Sequence, residues 1–186
     1  NKMVYVHKGK TLLEYAILAA KSSKASKAVV VTGANREKNE SIIKQVDIAF
    51  TYNKKWESGI GSSIKCGLKQ LSGGKSELDA VIVSVCDQPF LTFDIFDALI
   101  DKYNTTGKLI VASSYAGILG VPVLYDKKLF KGLKNIPDER GARKHLLEAT
   151  EPEQVESIPF PKGEVDIDTL EDLKKITGQE YAGRQV

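Results

Sequence analysis

Residues Asp79–Thr92 read "DAVIVSVCDQPFLT". The run Val81-Ile82-Val83-Ser84-Val85 has the continuous apolar character of a strand covered on both faces. It ends on Cys86-Asp87-Gln88-Pro89. In an open parallel sheet, ligands sit beyond the carboxyl ends of the strands. A carboxylate there, Asp87, either faces that crevice or caps the next turn. Pro89 stiffens the turn and removes a donor that no ladder would use.

On both sides of this strand the chain alternates. "KTLLEYAILAAKSS" carries apolar residues at helical spacing, and Thr11 with Glu14 forms a capping box. "AVVVTG" is a buried strand stopped by Gly33, "NREKNESIIKQV" a helix and "IAFTYN" a short strand. "GSSIKCGLKQL" opens a helix, and Thr92 caps the amphipathic "FDIFDALIDKYN". "KLIVAS", "VPVLY", "QVESIPF" and "EVDID" read as strands. "GARKHLLEAT" reads as a helix, and "TLEDLKKIT" as a closing helix capped by Thr169 and Asp172. Strands separated by helices of about ten residues indicate βαβ units around a parallel sheet.

The 186 residues are 42% hydrophobic and 27% charged, which suits one domain, 1–186, with a loose tail at 179–186. The net charge of +3 is spread along the chain rather than gathered on a basic stretch, which argues against a nucleic-acid partner. No apolar run reaches the roughly 18 residues of a membrane span, and no signal peptide is visible. Cys66 and Cys86 lack metal-ligand spacing and read as small buried hydrophobes of a reducing cytoplasm. His7 and His145 stand isolated and read as bystanders.

Two further clusters carry chemistry. "EVDIDTLEDL" places Asp166 and Asp168 two apart in an extended segment, so both side chains leave on one face. A hard divalent cation takes one or two carboxylates and fills its remaining positions with water and phosphate oxygens. Asp87 with Asp168, and to a lesser degree Asp166, fits that pattern. Glu171 and Asp172 are better read as acids at a helix N-terminus. In "NKKWESGIGSSIKCGL", Gly59, Gly61 and Gly67 allow close approach, and Ser62 and Ser63 set hydroxyls beside free amides at a helix start. This stretch is either an anion site or a glycine-rich turn with Trp56 as a core aromatic.

Taken in order, Asn53-x-x-Trp56-x-x-Gly59-x-x-Ser62-Ser63, Cys86-Asp87-Gln88-Pro89, Gly120-x-Pro122, Gly141-Ala142-Arg143 and Asp166-x-Asp168-Thr169-x-Glu171-Asp172-Leu173 resemble the MobA-like nucleotidyltransferases. The similarity is greatest to the molybdenum cofactor cytidylyltransferase (MocA-type) branch, because of "CDQP". The resemblance covers nearly the whole chain.

It implies a Rossmann-like, three-layer α/β/α fold with a mostly parallel sheet, of the nucleotide-diphospho-sugar transferase type. It also implies Mg2+-dependent transfer of a nucleoside monophosphate from an NTP, CTP foremost, to a phosphorylated acceptor such as molybdopterin. Pyrophosphate is released, and a molybdoenzyme could receive the product. Asp87 and Asp168 would hold the metal with Asp166 beside them, and Lys2 would neutralise the triphosphate. Asn53, Trp56, Gly59, Ser62, Ser63, Gln88, Pro89, Gly120 and Arg143 would line the substrate pocket. Arg143 would clamp a phosphate or else form a surface salt bridge.

The family opens with a strand and a Gly-rich loop before its lysine. On that pattern both would precede Asn1, and the expectation is that the given sequence lacks them, a naturally shortened relative being the alternative. "PDERGAR" departs from the family pattern by placing Glu139 where an aspartate is usual, which bears on acceptor choice. Two other readings stay open: a different sugar- or alcohol-phosphate nucleotidyltransferase, and a non-catalytic nucleotide-binding module.

Overall fold

The apolar runs become strands and the periodic stretches become helices. A computed structural model describes residues 6–7, 9–73, 77–148, 150–167, 169 and 171–172. A small hairpin, β1 (Val6–His7) and β2 (Lys10–Thr11), turns at Gly9. Then follow α1 (Leu12–Ser22), β3 (Val29–Thr32), α2 (Arg36–Val46), β4 (Ala49–Tyr52), α3 (Ile60–Ser72), β5 (Ala80–Val83) and α4 (Phe93–Thr106). The remainder is β6 (Ile110–Tyr115), β7 (Ile118–Asp126), α5 (Phe130–Asn135), α6 (Ala142–Glu148) and β8 (Val155–Pro159).

Local chemistry sets the boundaries. Thr11 and Glu14 make the expected reciprocal capping box at the start of α1. Helix α4 stops at Gly107, whose left-handed backbone (φ 63°) lets its amide donate to Tyr103 O at 2.8 Å. Thr169 and Asp172 also exchange their expected hydrogen bonds, Thr169 N to Asp172 Oδ2 and Asp172 N to Thr169 Oγ1. The rest of that helix and the 179–186 tail lie outside the described residues.

Strand β3 pairs in parallel with β4, and β6 in parallel with β8. Strand β7 runs antiparallel between β5 and β6, giving the order β5-β7-β6-β8. The reason is local. β6 and β7 are joined only by Ala116-Gly117, both at positive φ (49° and 73°), a turn too short for any crossover.

Alternate residues of this sheet serve two faces. Val111 and Leu124 pack with Leu99 of α4 and with Ile158. Ile110, Ala112, Val123 and Tyr125 pack with Leu68, Leu133, Ile136 and Ala142 of the opposite helical layer. Leu13 and Ile17 of α1 meet Ile43 of α2 against Val30 and Phe50. The architecture is the expected three-layer α/β/α arrangement.

Two expectations shift. Among the described residues, the strand expected over Asp79–Cys86 keeps its ladder only to Val83, opposite Val123, before the chain reaches Asp87. The described part of "EVDID", 164–167, forms no strand: Pro161–Glu164 is a short 3-10 turn, and the Ile167 amide is spent on Asp87 O rather than on a ladder. Among the described residues β3 pairs only with β4, and β5 only with β7. A cavity of about 480 Å3 lies between them, with Val29, Val31, Ile82, Cys86 and Leu68 in its walls.

Candidate active site

Beyond Val83 the continuation of β5 delivers Asp87 to a loop that is stitched to a segment 75 residues on. The Ile167 amide donates to Asp87 O at 3.0 Å. Gln88, 4% exposed, donates from Nε2 to Gly163 O at 2.8 Å and to Val121 O at 3.2 Å. The Lys162 ammonium stands 4.6 Å from the centre of the Phe90 ring. Leu91 N closes the Pro89 turn onto Gln88 O at 3.2 Å. Asp166 thus arrives between Gly163 and Ile167, two residues tied to the loop that carries Asp87.

Tyr115, at the end of β6, wedges this junction. Its ring meets Phe160 edge-on, with centroids 6.2 Å apart. It fills the space left by two glycines. A Cβ on Gly120 would stand 2.0 Å from the Tyr115 hydroxyl oxygen, and one on Gly163 would stand 2.6 Å from both Tyr115 Cδ1 and Phe160 Cδ1. Burial raises the Tyr115 pKa, and the nearby Asp166 charge raises it further. Gly120, expected as a substrate contact, is required here by packing.

A second loop forms at the ends of β3 and β4. Asn53 is 5% exposed; its amide donates to Ser62 Oγ at 2.7 Å and to Ser63 Oγ at 3.1 Å, and its Oδ1 accepts from Lys55 N at 2.9 Å. Ser62 Oγ lies 2.7 Å from Gly59 O and 2.8 Å from Lys55 O, both acceptors for its proton. The Gly61 amide donates to Asp138 O at 2.8 Å, and the Ser62 amide to Gly59 O at 3.2 Å. The Gly61 and Ser62 amides, expected to be free for an anion at the start of α3, are therefore engaged, Gly61 by the Pro137–Arg140 loop and Ser62 by its own turn. Lys65 reinforces the contact, pairing with Asp138 and donating to Ile136 O at 2.9 Å.

Trp56 is no core aromatic. It is 38% exposed and lies against Gly33, where a Cβ would fall 2.6 Å from its own Cβ. Ser63 and Arg143 border the cavity between β3 and β5. Arg143 donates from Nη1 to Leu119 O, beside Gly120. The Cys86 thiol is pushed up to about 12 by burial and by the Asp87 charge, which keeps it protonated and inert.

Lys2 and Asp168 lie outside the described residues. Among the described residues no group of three or more His, Cys, Asp or Glu gathers as a metal cluster. Asp87 and Asp166, carried on stitched segments, are the described carboxylates that could contribute to a divalent-cation site completed by water and phosphate. The sequence reading did not single out Tyr115, Phe160, Lys162 or Gly163. The one signal for them was a glycine three residues before Asp166.

A family model, the MobA-like NTP transferase domain, matches residues 1–155. No curated protein matches the chain by sequence. Among solved structures, a Mycobacterium tuberculosis protein in complex with manganese is similar at 16% identity and TM-score 0.74, over 94% of this chain and 90% of that one. The 4-diphosphocytidyl-2C-methyl-D-erythritol synthase of Anaerococcus prevotii is 18% identical with TM-score 0.74, over 98% and 90%. The molybdopterin-guanine dinucleotide biosynthesis protein A of Archaeoglobus fulgidus is 16% identical with TM-score 0.66, over 99% and 91%. At these identities the likeness is one of fold.

Proposed function

The chain belongs to the MobA-like NTP transferase domain family, and on that premise we propose that it transfers CMP from CTP to a phosphorylated acceptor, molybdopterin foremost, in the cytoplasm. The observation that carries this reading is the stitching of the Asp87 loop to the Asp166 segment, with Ile167 N donating to Asp87 O at 3.0 Å. It ties the loop that carries Asp87 to the segment that carries Asp166, which supports reading the two aspartates as parts of one metal site.

In the reaction an acceptor phosphate oxygen attacks the α-phosphorus of the nucleotide. The bond from that phosphorus to the bridging oxygen of the β-phosphate breaks, and pyrophosphate leaves. The attacking oxygen is already anionic, so no strong general base is needed, and the protein's work is positioning and charge neutralisation. Asp87 and Asp166, with Asp168 from the same segment, would hold Mg2+, which supplies Lewis-acid stabilisation of the phosphate charge when bound. Lys2 would neutralise the triphosphate, and Arg143 the acceptor phosphate. Trp56, exposed beside Gly33, offers a face for stacking a base or a pterin.

A second acceptor class is favoured by one feature. Glu139 lies in the loop that covers Gly59 and Gly61, where the family pattern has aspartate, and the extra methylene alters the reach of that carboxylate. The test is pyrophosphate release by the full-length protein with Mg2+, each of the four NTPs, and molybdopterin or a panel of sugar and alcohol phosphates. Release with CTP and molybdopterin supports the proposal. Release only with another acceptor moves the assignment to that class. Nucleotide binding without release under any combination contradicts the enzymatic reading.

A further inference from the structure

We propose that Gln88 is a positioning residue that fixes the spacing of Asp87 and Asp166 and so sets the affinity of the site for a divalent cation; this rests on the functional reading above. Gln88 was expected to touch substrate. Its side chain is instead buried, and Nε2 is committed to two main-chain carbonyls, Val121 O in β7 and Gly163 O beyond β8. Only the amide nitrogen can serve two carbonyls, so its orientation is fixed by its partners.

The bond to Gly163 works with the bond from Ile167 N to Asp87 O. Together they bracket Asp166 on both sides, and on the other loop they fall on Asp87 and its immediate neighbour. Gly163 cannot retreat from the amide, because Tyr115 and Phe160 already occupy the space where its side chain would be. The Gln88 bridge thereby holds together the two main-chain segments that carry Asp87 and Asp166. Buried partners that orient ligands in this way govern metal affinity without touching the metal.

Mn2+ is the probe. Its affinity is measured from the free-ion paramagnetic resonance signal in the full-length wild-type protein and in Gln88→Met, which keeps volume and loses both donors. Amide hydrogen exchange at Ile167 is followed in the same samples without metal. The expected result is Mn2+ binding weakened about tenfold or more and faster exchange at Ile167, with exchange in β6 unchanged. Unchanged Mn2+ affinity and unchanged Ile167 protection overturn the proposal. So does a lower melting temperature with the Mn2+ affinity of the folded protein intact, since that is a role in stability alone. A wild-type protein that binds no Mn2+ overturns the functional reading and the cation role together, whereas equal binding by wild type and variant removes only the role of Gln88. If Gln88→Met does not fold, Gln88→Asn, one methylene short of both carbonyls, carries the same comparison and the same criteria.

Discussion

A Cβ built on Gly120 would lie 2.0 Å from the hydroxyl oxygen of Tyr115 and 2.1 Å from its Cζ. The ring cannot yield easily, because Gly163 and Phe160 also pack against it. Gly120→Ala should therefore destabilise the protein by about 1–3 kcal/mol through overpacking, read as a lower urea midpoint. Tyr115→Leu in the same chain should recover some of the loss. If Gly120→Ala keeps the wild-type midpoint and only raises KM, the glycine serves substrate rather than Tyr115.

The contact between α3 and the Pro137–Arg140 loop is made by backbone. A Cβ on Gly61 would stand 2.2 Å from Pro137 O, so Gly61→Ala must push the two main-chain segments apart and break the bond from Gly61 N to Asp138 O. A loss of about 2 kcal/mol or more is expected, as for other forced backbone shifts. Lys65→Ala removes a half-exposed pair with Asp138 and should cost only about 1 kcal/mol or less. Chemical denaturation of both variants checks the order, and equal losses would contradict it.

Asn53 organises the 53–63 loop from a buried position. Asn53→Ala takes the partner from two serine hydroxyls and from Lys55 N, and should cost about 1–3 kcal/mol. The expected signature is a lower melting temperature together with altered Trp56 fluorescence, since Lys55 N, next to Trp56, loses its acceptor Asn53 Oδ1. Unchanged stability with lost nucleotide binding would instead make Asn53 a ligand contact.

Alkaline pH should unfold the protein in a defined window. Burial pushes Cys86 from 9.0 up to about 12, and burial with the hydrogen bond to Asp126 pushes Tyr103 from 10.0 up to about 12. A group that gains pKa on folding holds its proton more tightly in the native state. The stability it adds is whole below the unfolded value and is lost as pH climbs through the folded one. The urea midpoint should stay flat to about pH 9 and fall toward pH 12, and Tyr103→Phe should lessen the fall above pH 10. A midpoint that rises across this range would contradict both assignments.

Much of this was legible in the sequence because the signals were local. Thr11 with Glu14, the apolar run ending at Asp87, and Thr169 with Asp172 each declare themselves within a few residues. The hairpin at Ala116-Gly117 was hidden because alanine at φ 49° is a weak turn signal. The fate of "EVDID" was hidden because alternation alone reads as a strand, and only contact with the distant Asp87 loop takes the Ile167 amide. Gln88 and Ser62 could not be separated from substrate contacts by motif, since their partners, Gly163 in one case and Asn53 with Lys55 in the other, are settled by tertiary packing.

The most direct measurement is the rate of pyrophosphate release with CTP, molybdopterin and Mg2+ in the full-length protein against its Asp87→Asn variant, with the melting temperature of each. A loss of about a hundredfold or more in kcat at an unchanged melting temperature is expected, as when preorganised charge stabilisation is removed from a phosphoryl-type transfer. A variant that turns over at the wild-type rate would contradict the placement of the reaction at the Asp87–Asp166 junction.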